Sequence, residues 1–262
     1  AGTHCRDEHE SKKRSAHPVT PSPQVPDNST FPLLPIQRAY WLGRDKNFFF
    51  SGTSAHMYTE REFTGGLNRA LLQSSLQHII ARHSMLRAVI DPDSGTQKVF
   101  SADDLPAYVI AWEDLRSIGT DTKNKNEEEV EKMKGVRLHR KRSAMSHEQF
   151  DVESWPCFRF EVTQTGDHKC ILHVSIDLIF IDAMSFDTIF TEWSEVYSGG
   201  KLRPLDHQFS EYTTLKLAEL QGPSFEKHRL YWSERAANFP AAPRLPGTTR
   251  CHPGGAENPL RA

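Results

Sequence analysis

Two aspartates interrupt one of the most apolar stretches of the sequence. Asp177 and Asp182 lie within HVSIDLIFIDAMSF, residues 173–186, among Val, Ile, Leu and Phe. An unpaired carboxylate taken out of water either costs several kcal/mol or shifts its pKa until it is neutral. We therefore expect each carboxylate to have a compensating partner or a role in chemistry.

Three interpretations of this pair are open. The favoured one makes one aspartate a helix N-cap or the partner of a buried arginine, which is common where a strand leads into a helix. A Mg²⁺ or Ca²⁺ site is weakly indicated, because no third acidic residue or Gly-rich phosphate loop lies nearby. Acid and base catalysis by two carboxylates in different environments is the third. The residues alone do not choose among them.

The elements around the pair predict how it is positioned. Alternation along residues 171–178 predicts a strand with a core face and a semi-polar face, and His173, Ser175 and Asp177 lie on the semi-polar one. The apolar positions of residues 184–197 follow a helical period, and Gly199 and Gly200 end that helix. The two carboxylates can converge only if the chain turns between strand and helix.

The other elements predict an α/β fold with a mixed, largely antiparallel sheet flanked by helices. Helices are predicted over residues 67–82, 123–149, 209–220 and 224–238, and strands over LRAVI, TQKVF, residues 107–112 and the hairpin at residues 158–177. The charged segment 123–149, which contains HRKR, favours a solvated surface helix over a nucleic-acid patch. The folded part is predicted at 31–246, with a linker at 1–30 and a tail at 247–262.

Composition limits the function classes. Lys and Arg number 32 against 34 Asp and Glu, so the net charge of −2 provides no field that would attract nucleic acid or an anionic membrane. The four cysteines form no CxxC pair, which argues against a zinc ribbon or a disulfide framework. With no stretch of about 20 apolar residues, we expect a cytoplasmic protein in a reducing compartment.

Four ordered motifs carry a resemblance to a known family. They are FPLLPIQRAYWLGR (31–44), RHSMLRAV (82–89), DLIFIDAMSF (177–186) and YWSERAANFPAAPRLP (231–246). Together they resemble the heterocyclization domain of nonribosomal peptide synthetases, a relative of the condensation domain. Its motifs look like FPLTxxQxAYxxGR, RHxMLRAV and DxxxxD, where condensation domains carry HHxxxDG. Leu34 departs from this pattern by replacing a Thr, a possible loss of a helix cap.

The resemblance implies a fold and a reaction. Such domains resemble chloramphenicol acetyltransferase, with two α/β lobes around a tunnel, and this chain matches the N-terminal lobe. The resemblance implies the missing C-terminal lobe as a partner, and residues 247–262 would be a flexible tail or the start of the connection to it. The reaction joins an acyl thioester to the amine of a Cys, Ser or Thr, and cyclodehydration then gives a thiazoline or oxazoline in siderophore or natural product biosynthesis. Substrates arrive on the phosphopantetheine of upstream and downstream peptidyl or aryl carrier proteins. An adenylation domain is a further implied partner, and no cofactor or metal is bound directly.

The same resemblance assigns the two aspartates. Asp177 and Leu178 align with the two His of HHxxxDG, and Asp182 aligns with its Asp. Leu178 cannot transfer a proton, which fits the cyclizing subtype. The family pairs the Asp with an Arg of the second motif, so Arg87 is expected to face Asp182, leaving Asp177 at the tunnel. Both aspartates are candidate catalytic residues, and Asp182 is interpreted as chiefly structural.

Other motif residues are expected to support this site. Gln37, Tyr40 and Arg44 would hold the first helix against the sheet and the tunnel floor, and Arg82 and His83 belong to the second motif. His83 and His173 are interpreted as packing histidines, with His173 the more plausible exception. The candidate tunnel-lining residues are His173, Ser175 and Ser185.

Two rival functions remain at this point. One is a noncatalytic docking module for carrier proteins, and the other is a free-standing CoA-dependent acyltransferase, which would need a His at Leu178. Because a lone N-terminal lobe would leave half of the tunnel wall open to water, we also expect residues 1–262 alone to be inactive.

Overall fold

The computed structural model describes residues 30–45, 54–119, 126–236 and 238–240. The predicted linker, except Thr30, and the predicted tail 247–262 lie outside these residues. The helices are α1 Pro35–Leu42, α2 Arg69–Arg82, α3 Glu127–Ser146, α4 Ala183–Tyr197, α5 Phe209–Glu219 and α6 Pro223–Ala236. The strands are β1 Thr30–Pro32, β2 His56–Thr64, β3 Ala88–Asp91, β4 Thr96–Val99, β5 Ala111–Asp114, β6 Phe158–Gly166 and β7 Lys169–Asp177.

The larger sheet carries the first aspartate. Its strand order is β2-β7-β6-β5, antiparallel except for the parallel pair of β5 and β6. The register sets His56 opposite Asp177 and Glu60 opposite His173 on β2. Residues directly opposite each other in a ladder share one face of the sheet, so the polar residues of β2 and β7 lie side by side.

Helices α2 and α4 cover the apolar face of this sheet. Leu172, Val174 and Ile176 of β7 join the hydrophobic core together with Leu76 of α2 and Trp193 of α4. The indole Nε1 of Trp193 donates to Ser75 Oγ at 2.8 Å, which satisfies its one polar group inside the core. This packing fixes the direction in which α4 leaves the loop after β7.

The polar face of the same sheet is covered by the charged helix α3. Lys141 of α3 lies 2.8 Å from Glu113 of β5 and 2.9 Å from Glu161 of β6. Arg142 pairs with Glu60 of β2 at 2.6 Å. Helix α3 is therefore exposed on its outer side, as predicted, while these basic side chains form ion pairs with the sheet.

A smaller antiparallel sheet, β1-β4-β3, supports α1. The predicted turn between β3 and β4 is present, with Gly95 at a φ of +62°. A Cβ at this position would lie 3.2 Å from the ring of Trp41 on α1, so both the backbone and the space favour glycine. Leu34 gives α1 no side-chain cap, as predicted, and Gln37 Oε1 accepts from the Leu34 amide at 3.0 Å instead.

Most predicted elements are confirmed, and two details differ. The predicted strand at residues 107–112 lies later, at Ala111–Asp114. The first two strands, Thr30–Pro32 and His56–Thr64, were not predicted. The chain divides after Leu215 into two compact units, and the second begins at Lys216. Among the described residues, no helix combines the length and hydropathy needed to cross a membrane.

Candidate active site

Asp177 is the last residue of β7, and its side chain is completely buried. The guanidinium of Arg44 compensates its negative charge. Arg44 Nη2 donates to Asp177 Oδ2, and the Ile179 amide donates to Asp177 Oδ1 at 3.0 Å. Burial raises the pKa of Asp177, and the Arg44 guanidinium opposes this shift. Arg44 also donates to the Phe150 carbonyl at 3.2 Å, which fixes the guanidinium. Asp177 therefore joins the segment after α1 to the end of β7.

The Asp182 carboxylate is exposed and caps α4. Its Oδ1 accepts from the Ser185 amide at 2.7 Å, and hydrogen bonds to Ser185 lower the pKa of Asp182. An acceptor at this position satisfies one of the amides that a helix N-terminus leaves unpaired. The favoured interpretation therefore holds for both aspartates, since one is an N-cap and the other pairs with an arginine.

The structure reverses the roles that the resemblance implied for them. The expected pair of Arg87 and Asp182 is wrong, because Asp182 bonds to Ser185 while Arg87 donates to the carbonyls of Ile80, at 3.2 Å, and Phe100. Arg87 lies in the short helical turn Ser84–Arg87, next to the last turns of α2, where backbone acceptors are close. Asp177 is paired and sealed, and Asp182 is the accessible carboxylate.

A cavity of about 1100 Å³ lies beside the loop between β7 and α4. Leu178 and Asp182 contribute to its wall. Of the other residues singled out from the sequence, Gln37, Tyr40, His83 and Ser185 also line it. Asp177, His173 and Ser175 are not among the lining residues, so the prediction that they face the tunnel is wrong for all three.

His173 and Ser175 are instead sealed between the sheet and α3. Both are fully buried. His173 contacts Tyr58 OH through Nδ1 at 2.9 Å and Thr163 Oγ1 through Nε2 at 3.0 Å, and burial lowers its pKa. The interpretation of His173 as a packing histidine is therefore confirmed. The expectation that His173, rather than His83, would be the histidine to act as a base is not supported.

Gln37 ties three segments together at the cavity wall. Its amide Nε2 donates to the Ile179 carbonyl at 2.9 Å, just after Leu178, and to Gln97 Oε1 at 2.9 Å on β4. Because the Gln37 side chain is buried, it positions the loop after β7 against α1 and the smaller sheet. This agrees with the supporting role expected from the sequence.

His83 was predicted to pack, and the structure places it at the cavity in a hydrogen-bonded chain. His83 Nε2 lies 2.6 Å from Glu192 Oε2 on α4. Arg82 holds the same carboxylate in a bidentate contact, with Nε at 2.8 Å and Nη2 at 3.0 Å. Burial acts to raise the pKa of Glu192, but the hydrogen bonds from Arg82 and His83 outweigh it and lower that pKa.

Several residues of this region were not predicted from the sequence. His56 and Tyr58 of β2 line the cavity, as does His207, which lies before α5. The signal for β2 was present, because His56, Tyr58 and Glu60 alternate with other residues in HMYTEREF, as in a strand with one polar face. No such signal marked Glu192, because acidic residues on helices are usually exposed to solvent and nothing in the sequence distinguishes this one.

The chain matches a known protein family over most of its length. The model of the condensation domain family matches residues 27–257. The chain belongs to the condensation-domain family. Condensation domains are parts of nonribosomal peptide synthetases. No three His, Cys, Asp or Glu side chains are grouped to hold a metal ion in the described part of this condensation domain.

Similar proteins agree with this assignment. Phenyloxazoline synthase MbtB of Mycolicibacterium paratuberculosis is 33% identical over 238 residues, which are 89% of this chain and 19% of that protein. Pyochelin synthetase PchF of Pseudomonas aeruginosa is 30% identical over 221 residues, 82% of this chain and 11% of that protein. The condensation domain described here thus spans only a small part of these relatives.

A solved structure confirms the expected fold class. The EpoB cyclization-docking bidomain from Sorangium cellulosum matches with a TM-score of 0.74 and 28% identity, over 88% of this chain and 43% of that chain. The chain therefore has the α/β fold of condensation domains, which resembles chloramphenicol acetyltransferase.

Proposed function

We propose that this condensation domain is of the heterocyclization type. The observation that carries the proposal is Leu178, a cavity-lining residue at the position where the ordinary condensation motif has its second His. The two aspartates of DxxxxD flank it, Asp177 inside the sheet and Asp182 at the cavity. The names of two relatives, an oxazoline synthase and a cyclization bidomain, support the same subtype.

The proposed reaction has two stages. The amine of a carrier-bound Cys, Ser or Thr attacks an upstream acyl thioester, so that a C–N bond forms and the carrier thiol leaves. The side-chain thiol or hydroxyl then attacks the new amide carbonyl, and loss of one water gives a thiazoline or oxazoline. Both substrates would be attached to the phosphopantetheine of carrier proteins, and an adenylation domain would load the downstream one.

Asp182 is the residue proposed to meet substrate. Its carboxylate is exposed at the cavity and its pKa is lowered, so it is ionised near neutral pH and can accept a hydrogen bond from an ammonium, thiol or hydroxyl. Asp177 acts indirectly. With Arg44 it fixes the end of β7 and hence the position of Leu178.

The test uses the complete polypeptide that contains this chain, with carrier proteins loaded with acyl group and with Cys, Ser or Thr. Mass spectrometry of the products distinguishes the amide from the heterocycle, which has lost one water. Formation of the heterocycle supports the proposal, and an amide that is never dehydrated would refute the cyclizing subtype. Turnover by residues 1–262 alone would refute the prediction that this part is inactive by itself.

A further inference from the structure

The hydrogen bonds at His83 determine which ring nitrogen carries the proton. A carboxylate in bidentate contact with a guanidinium is ionised and can only accept hydrogen bonds. Glu192 Oε2 therefore accepts from His83 Nε2–H at 2.6 Å. In the neutral ring this leaves the lone pair on Nδ1, which has no hydrogen-bond partner within the described residues.

The place of His83 in the fold puts its ring at the cavity. His83 follows α2 and lines the same cavity as Leu178 and Asp182. About a sixth of its side-chain surface, 17%, is exposed, which is enough for contact with a ligand while most of the ring stays packed. Since Leu178 cannot take a proton, a base for amide formation has to be a different side chain.

Two other described histidines line the cavity, and neither is supported in the same way. His56 Nε2 lies 3.2 Å from a neutral acceptor, the Met145 carbonyl, and the carboxylate opposite it in the sheet, Asp177, is already paired with Arg44. His207 has a carboxylate partner, Glu211, but 51% of its side chain is exposed. A histidine that accepts a proton becomes an imidazolium, which an ordered carboxylate stabilises and a carbonyl stabilises much less. Of these three histidines, only His83 combines a hydrogen-bonded carboxylate with a mostly buried side chain.

We propose, building on the function proposed above, that His83 is the proton acceptor of the condensation step, with Glu192 and Arg82 as its positioning residues. The amino nitrogen of the acceptor attacks the thioester carbon, the C–N bond forms and the C–S bond breaks. The proton released from nitrogen passes to His83 Nδ1 and then to the departing thiolate. The products are an amide and a free carrier thiol, and His83 returns to its neutral form.

The electrostatics of the chain agree with this role. Burial lowers the pKa of His83, and Glu192 partly opposes that shift, so the ring is neutral and Nδ1 is free near pH 7. The groups that act on it are Arg82 from α2 and Glu192 from α4, and the cavity wall adds Asp182, His56 and His207.

The experiment measures amide formation against pH in the complete polypeptide with loaded carriers, for wild type, His83→Gln, Glu192→Gln and His56→Gln. His78→Gln is the matched control, because His78 is an exposed histidine on α2 outside the cavity. We expect His83→Gln to reduce the rate about 100-fold and to remove the decline in rate on the acid side. Glu192→Gln should move that decline to lower pH, because it removes the group that favours the imidazolium.

The outcomes separate this inference from the function on which it rests. If wild type forms no amide, the proposed function fails and the inference fails with it. If wild type is active and His83→Gln retains the wild-type pH profile, His83 is structural and only this inference is overturned. The inference is also overturned if His56→Gln, rather than His83→Gln, removes the acid-side decline. Melting temperatures of all variants exclude unfolding as the cause of lost activity.

Discussion

Arg44 and Asp177 form an ion pair between residues 133 positions apart in the chain. The Asp177 side chain is fully buried, and the Arg44 side chain keeps 15% of its exposure. A planar guanidinium suits this position because it donates to the carboxylate and to the Phe150 carbonyl at once. The pair holds the segment after α1 to the loop that carries Leu178 and Asp182.

Removing one partner of this pair should destabilise the domain strongly. Asp177→Asn and Arg44→Ala each leave one group of a buried pair without its counter-charge, which costs about 3 kcal/mol. We take the lower end of the usual range because Arg44 is partly exposed. Urea denaturation at pH 7 measures the loss, and the double variant Arg44→Ala/Asp177→Asn should lose less than the sum of the single variants.

The matched control is an exposed ion pair in the same unit. Lys134 and Glu131 lie 2.8 Å apart on α3, and 71% of the Glu131 side chain is exposed. Glu131→Gln should change the free energy of unfolding by less than about 0.5 kcal/mol. If Asp177→Asn changes stability as little as this control, the pair does not hold the loop.

Asp182 should respond differently to two substitutions. Asn can still accept the Ser185 amide as an N-cap, whereas Ala cannot, so Asp182→Ala should lose about 1 kcal/mol of stability and Asp182→Asn much less. Both remove the ionised carboxylate from the cavity. If that carboxylate contacts substrate, Asp182→Asn reduces product formation at nearly wild-type stability. A fully active Asp182→Asn enzyme would show that Asp182 serves only as a cap.

The sequence predicted the elements better than it predicted the contacts. Helices α2 and α4 and the hairpin of β6 and β7 follow from local periodicity, and their bounds are close to the predicted ones. The partner of Asp177 was not predicted, because Arg44 is distant in sequence and the resemblance paired Arg87 with Asp182 while leaving Asp177 at the tunnel. Alternation in β7 gave two faces but could not show that α3 covers the polar one. For this reason His173 was expected near the cavity, which His83 lines instead.

Buried His173 should make stability depend on pH. Burial lowers its pKa in the folded state, so below the unfolded value of about 6.5 the unfolded chain binds more protons than the folded one. Stability is therefore fully present above about pH 6.5 and falls as the pH drops toward the folded pKa, by at most about 1.4 kcal/mol per pH unit for this one group.

Substitution of His173 tests this dependence. His173→Gln should be less stable than wild type at about pH 7.5, because it disturbs the contacts with Tyr58 and Thr163. Its stability should nevertheless fall less than that of wild type between about pH 7.5 and about pH 5.5. His78→Gln, with an exposed side chain on α2, should keep the wild-type dependence. Equal slopes for wild type and His173→Gln would contradict the assignment.

Leu178 should shape the cavity wall and take no part in proton transfer. It is partly exposed at the cavity, so Leu178→Ala removes fewer buried contacts than a core substitution and should cost about 1 kcal/mol. Leu172→Ala, at a buried position on the preceding strand β7, should cost about 2–5 kcal/mol. Because Leu178 transfers no proton, Leu178→Ala should keep the pH profile of product formation and stay within about tenfold of the wild-type rate. A changed pH profile would show instead that this position affects the protonation of a catalytic group.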